Sequence, residues 1–89
     1  MKRAIIKIYG EVQDVGFRYH ILLEAEKLDL TGWVRNVLDG TVEVVIEGEE
    51  ENLKKLIEYC QEGPRFAKVD KVEVEWQKAT GDFEKFVIR

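Results

Sequence analysis

Two stretches of helical periodicity, set among runs that alternate apolar with polar residues, predict an α+β fold: a two-layer sandwich of sheet and helices. Three observations carry that expectation. The apolar period changes from 2 to 3.6 and back again twice along the chain. Asp39-Gly40, a strong turn signal, joins two of the alternating runs directly. Finally, 89 residues make one domain with one thin core and no second, so residues 1–89 are read as a single unit.

Residues 3–9 alternate as a strand, with Ala4, Ile6 and Ile8 on one face, and residues 10–16 follow as a loop. Phe17, Ile21, Ala25 and Leu28 then recur at helical spacing, with Glu24, Glu26 and Lys27 on the other side. Asp29-Leu30-Thr31-Gly32 reads as the helix exit. Residues 33–37 form a short strand and Leu38-Asp39-Gly40 its turn. Residues 41–47 alternate strictly, Val42, Val44 and Ile46 inward and Thr41, Glu43 and Glu47 outward. Glu49-Glu50-Glu51 opens a second helix whose Leu53, Leu56, Ile57 and Cys60 make one apolar stripe. Gly63-Pro64 ends it, because proline cannot continue a helix. Residues 69–77 alternate again, Val72, Val74 and Trp76 against Lys71, Glu73 and Glu75. Residues 79–82 turn the chain, and residues 83–88 make a final short strand. The order β-α-β-β-α-β with an added C-terminal strand describes a ferredoxin-like sandwich, its sheet antiparallel and both helices on one face. That fold hosts many unrelated activities and by itself says nothing of function.

Composition removes several function classes. Apolar residues at 45% and charged residues at 36% describe a globular chain in water, and no apolar run is long enough to span a membrane. Lys7 interrupts any apolar stretch of signal-peptide type. With Cys60 alone no internal disulfide forms, which fits a reducing compartment, and a cytoplasmic location is expected. A net charge of −4 argues against broad binding to a nucleic-acid backbone. No Walker loop, metal-ligand cluster or Ser-His-Asp set is present.

The chemistry is expected in the loop that joins the first strand to the first helix. A loop ending at a helix N-terminus gathers unpaired N–H groups, with the positive end of the helix dipole behind them. Such a place accepts an anion, phosphate above all. The second helix opens with three glutamates that neutralise its dipole. The first opens with Phe17, Arg18, Tyr19 and His20, with no acid until Glu24. A cation in the first turn opposes the dipole by up to about 1 kcal/mol. The negative partner is therefore expected from outside.

Gly10-Glu11-Val12-Gln13-Asp14-Val15-Gly16-Phe17-Arg18, followed by Gly32-Trp33-Val34-Arg35-Asn36 and Asp39-Gly40-Thr41-Val42-Glu43, resembles the acylphosphatase family, and the resemblance covers the whole chain. It implies a small enzyme, free of metal and cofactor, that hydrolyses the carboxyl–phosphate bond of a small-molecule acyl phosphate. Inorganic phosphate would be product and inhibitor, and a monomer without nucleic-acid or membrane partners is expected. The resemblance further implies that Val12, Gln13, Asp14, Val15, Gly16 and Phe17 cradle the phosphate through backbone N–H groups. Arg18 would bind the phosphoryl oxygens and Asn36 would position the attacking water. The residue types suit those roles: a guanidinium matches two phosphate oxygens at once, and an amide without a useful pKa can still orient a water through its oxygen.

Taken singly, the same residues read more plainly. Arg18 alone is a solvated helix arginine, Asn36 is turn chemistry, and Gly16 serves the backbone. The side chains of Gln13 and Arg35 read as structural or peripheral, and His20 as a surface or satisfied histidine. Cys60 reads as core, while Trp33, Trp76, Phe83 and Phe86 read as core or sheet-face residues. Asp14 departs from the family pattern, which usually has glycine there. Aspartate tolerates a positive φ, and its carboxylate either opposes a bound phosphate or points to solvent and caps a turn amide. This departure supports one alternative, a catalytically impaired anion-binding or protein-interaction domain of the same fold. An RNA-recognition module is disfavoured, because its two aromatic-rich strand motifs are missing.

Overall fold

The strand alternation read from the sequence becomes the two faces of a sheet. In the computed structural model, which describes residues 1–89, β1 (Lys2–Glu11) turns Ala4, Ile6 and Ile8 inward, each fully buried. The strand runs past its expected end: Gly10 and Glu11 stay paired across a bulge after Tyr9, so the loop proper is residues 12–16. α1 (Phe17–Lys27) buries Phe17, Ile21 and Ala25. It closes with Leu30 N–H donating to the Ala25 carbonyl at 2.9 Å and Asp29 N–H to Glu26 at 3.2 Å, Asp29 taking a φ of 55° where glycine is usual. The helix exit is thus complete by Leu30, and β2 (Thr31–Asn36) starts earlier than the pattern suggested.

β3 (Val42–Gly48) follows the hairpin, and α2 (Glu50–Glu62) buries Leu53, Leu56 and Cys60, with Ile57 partly covered. β4 (Lys68–Lys78) and β5 (Phe86–Ile88) complete the five-stranded sheet, ordered β4-β1-β3-β2-β5. Both helices cover the face bearing Ala4, Ile6, Ile8, Val34, Val44 and Ile46, and the core lies between the layers. The ferredoxin-like sandwich is as expected, with one correction to the sheet. β5 lies parallel to β2, pairing Gly32 with Phe86 and Val34 with Ile88, so the sheet is mixed. The connection after β4 carries the chain across to the far edge, which forces that direction.

A second difference concerns Thr41 and Glu47, expected outward and polar, yet only 4% exposed each. Glu47 does point away from the helices, but the connection before β5 covers it. Its carboxylate accepts from Arg3 Nε at 2.7 Å, Thr80 N–H at 2.9 Å, Thr80 Oγ1 at 3.0 Å and Gly81 N–H at 3.0 Å. Elsewhere this outer face carries rows of matched side chains. Arg35, Glu43, Lys7 and Glu73 lie across four adjacent strands with alternating charge, each unlike pair being favourable.

Because β1 and β2 are both antiparallel to β3, they run the same way. The C-terminal ends of β1 and β2 and the start of α1 therefore share one end of the sheet.

Candidate active site

Residues 12–16 make no regular structure, and their backbone is set by two left-handed residues, Asp14 at φ 62° and Gly16 at φ 78°. Gly16 is also the N-cap of α1 and supplies no capping side chain. Between Gln13 and Tyr19 no backbone N–H donates a hydrogen bond within the chain. The first turn of α1 contains no acid. Successive unpaired N–H groups through such a backbone can make a nest for an anion, with the dipole of α1 behind them. Val12 anchors the entry to the loop with a buried side chain, and Phe17 anchors its exit in the same way, so Phe17 can contribute only its backbone. Val15 packs partly against the core.

Arg18 is half-buried one residue into α1 and has neither a carboxylate partner nor a hydrogen bond, unlike Arg3 and Arg35, which pair with Glu47 and Glu43. Asn36 ends β2 on the helix-facing side, in one row with Val42 of β3 and Ile8 of β1. It stands two strand spacings, about 10 Å, from β1. Its Oδ1 is buried without a hydrogen-bond partner. The oxygen expected to meet a water is thus the inward end of the amide. A half-turn about χ2 exchanges the two ends in place, and an orphaned buried acceptor, worth about 1–3 kcal/mol, favours any arrangement that satisfies it.

Gln13 was expected in the loop for its backbone, its side chain being read as structural or peripheral. That side chain is committed elsewhere: Nε2 donates to the Val37 carbonyl at 2.7 Å and to the Thr41 carbonyl at 2.9 Å. Asp14 is exposed and accepts no hydrogen bond from the chain, so it caps no turn amide. The hairpin tip is stiffened by Asp39, which accepts from Thr41 N–H at 3.0 Å and Thr41 Oγ1 at 2.6 Å and pairs with Lys7 at 3.1 Å. The Thr41 hydroxyl and N–H, then Lys7, hold the Asp39 carboxyl down at about 2. The Asp39-x-Thr41 spacing is the sequence signal that could have announced this turn.

The remaining candidates fall outside the loop. His20 Nδ1 lies 2.8 Å from the Gly16 carbonyl, a local bond from the first turn of α1 back to its cap. Burial pushes the Cys60 thiol up to about 12, leaving a packing group without nucleophilic character. Phe86 is core, whereas Trp33 lies on the outer sheet face between the Arg35 and Arg89 guanidiniums, at 5.1 and 4.7 Å. Trp76 faces the helix side opposite Ala4 but is 42% exposed at the sheet edge, and Phe83 lies under Arg3. The groove between the helices, lined by His20, Leu23, Glu24, Glu26, Lys27 and Tyr59, holds neither the nest nor Asn36. No group of three or more His, Cys, Asp or Glu side chains is placed to hold a metal ion. No helix is long and apolar enough to cross a membrane.

This geometry has close counterparts among known proteins. The profile of the family described as Acylphosphatase matches residues 4–88. An acylphosphatase of Thermococcus kodakarensis is 52% identical over 79 residues, which span 89% of this chain and 87% of the relative. One from Pelotomaculum thermopropionicum is 48% identical over 86 residues, or 97% and 94% of the two chains. The crystal structure of acylphosphatase from Bacillus subtilis superposes with a TM-score of 0.96 at 38% identity, covering 100% of this chain and 99% of that one.

Proposed function

The chain belongs to the acylphosphatase family, and from that membership we propose that the 12–17 backbone and Arg18 hold the phosphoryl group of an acyl phosphate while Asn36 orients the water that attacks it. The activity itself, hydrolysis of acyl phosphates, comes with the family. The observation that supports this assignment of residues is the run of unpartnered N–H groups from Gln13 to Tyr19 beside an unpaired, half-buried guanidinium. None of these donors is spent on the fold.

The water oxygen forms a bond to phosphorus as the bond from phosphorus to the acyl oxygen breaks in line. The products are a carboxylate and inorganic phosphate, and the surplus proton goes to phosphate or solvent. A carboxylate with a pKa near ~4 leaves without help from a general acid. The attacking water needs orientation more than deprotonation, because the transition state of phosphoryl transfer is loose. Catalysis then rests on positioning and on fixed positive charge, which the nest, the dipole of α1 and Arg18 supply. Neither a metal nor a cofactor has a step to perform.

The test is turnover of a small aromatic acyl phosphate by the purified chain, with and without a chelator. Hydrolysis that survives the chelator is expected. Activity abolished by chelation would overturn the metal-free reading, and no turnover under either condition would overturn the hydrolytic one.

A further inference from the structure

The nest and Asn36 sit on different elements, and one side chain joins them. Gln13 Nε2 reaches both the Val37 and the Thr41 carbonyl, at 2.7 and 2.9 Å. Two carbonyl acceptors fix the orientation of the amide, because only its NH2 end can serve both. Val37 directly follows Asn36, and Thr41 directly precedes Val42, the residue paired with Asn36. The bonds therefore end on both arms of the hairpin turn, each one residue beyond a strand of the pair that carries Asn36.

The hairpin does not need Gln13 in order to close. Val37 N–H donates to the Thr41 carbonyl at 2.9 Å and Gly40 N–H to the Val37 carbonyl at 3.0 Å, so each acceptor keeps a backbone donor without it. The loop has no other side-chain bond to the hairpin: apart from Gln13, the only side chain bonded to residues 12–16 is His20, from α1.

We propose that Gln13 is a positioning residue that sets the distance between the bound phosphoryl group and the water held by Asn36. This role rests on the functional reading above. In-line attack is sensitive to that distance, a misplacement of ~1 Å costing up to about 100-fold in rate. Gln13 acts through Asn36 and need not touch the substrate.

Gln13→Met keeps the length and removes the donors. The variant is expected to stay folded, its melting temperature lower by about 8–16 °C, as for two lost hydrogen bonds. Its kcat on a small aromatic acyl phosphate should fall about 10–100-fold, with little change in inhibition by inorganic phosphate. In an Asn36→Ala background the same substitution should change kcat little, since the group it positions is gone. Equal losses in both backgrounds, or no loss in either, would overturn the proposal.

A second measurement does not depend on turnover. With 15N-labelled protein and inorganic phosphate, shifts are expected in the loop amides and in the Val37 to Thr41 amides of the parent, but in the loop amides alone in Gln13→Met. Identical shift patterns in the two proteins would overturn the coupling. Coupling without turnover would overturn the hydrolytic reading and leave only the mechanical link between loop and hairpin, whereas turnover without any shift in the Val37 to Thr41 amides of the parent would overturn the coupling and leave the hydrolytic reading standing.

Discussion

Arg18 is left without a partner in a chain that pairs most of its half-buried charges, and its replacement tests the anion site most directly. Arg18→Ala is expected to lower kcat/KM about 10²–10³-fold, as for the loss of one well-placed donor. Arg18→Lys should not restore it, since an ammonium cannot make the two-pronged contact; a lysine variant near parental kcat/KM would sink the role. Asn36→Ala should behave differently, depressing kcat far more than it weakens inhibition by inorganic phosphate. Equal weakening of phosphate inhibition would place Asn36 in the anion site, and a thermal melt separates either result from unfolding. Asp14 is the third test. Its φ of 62° is open to aspartate at some strain, and its exposed carboxylate has no internal partner. At ~7 Å from a phosphate the repulsion per charge pair is roughly 0.6 kcal/mol in water and about 2.4 at an effective dielectric of ~20. Asp14→Gly removes both strain and charge, so phosphate inhibition should tighten several-fold at low salt and less at high salt. An unchanged inhibition constant at low salt would mean that the charge is not felt at the nest.

Among the elements, β2 carries Asn36 and is flanked on both sides, and it tolerates little change at Gly32. A Cβ added at Gly32 would stand 1.9 Å from the Val45 carbonyl oxygen, and the φ of 139° there excludes other residues as well. Gly32→Ala should destabilise by about 3 kcal/mol or more and drop the melting temperature by roughly 12–24 °C. At Gly40 an added Cβ meets nothing within 4 Å, so Gly40→Ala should cost only backbone strain, about 1–2 kcal/mol. Comparable losses at the two positions would show that close packing on β3 is not the cause. The elements themselves were legible because period and turn chemistry are local. Val42, Val44 and Ile46 could face only one way, and Asp39-Gly40 could only turn. What was not legible depended on partners far along the chain. β5 has three residues, too few for any pattern to reveal a parallel neighbour. The amide of Gln13 finds carbonyls 24 and 28 residues away, and no local signal encodes them. In the candidate site, Arg18 and Asn36 stand out in the sequence only through the motif that resembles the family, whereas the burial of the Asn36 oxygen depends on packing around the end of β2.

The molecule as a whole is fastened at the end opposite the nest by Glu47, which ties β3 and β1 to the connection that delivers β5. Burial alone would raise the Glu47 carboxyl, but the Thr80 and Gly81 N–H groups, the Arg3 guanidinium and the Thr80 hydroxyl outweigh it and hold the group down at about 2. A depressed carboxyl contributes its stability above the unfolded value of 4.5 and loses it as the pH falls toward 2. On the order of 3 kcal/mol should disappear across that window. Glu47→Gln should lower stability at neutral pH and flatten the decline between pH 5 and pH 2; an equally steep decline in the variant would remove the clasp from the account. The strand order has a consequence of another kind. β1 lies between β3 and β4, so the earliest-made of these five strands completes its pairing only when Lys78 has been added opposite Lys2. At ~5–20 residues per second it waits several seconds with an edge bare. A nascent segment holding Ile5, Ile6 and Ile8 in that state is prone to join another copy of itself. Lys2, Arg3 and Lys7 break it with cations that repel such a copy. The charges that later meet Glu50, Glu47 and Asp39 are thus carried on a strand whose edge stays open through most of synthesis, where like charge opposes its pairing with a second copy.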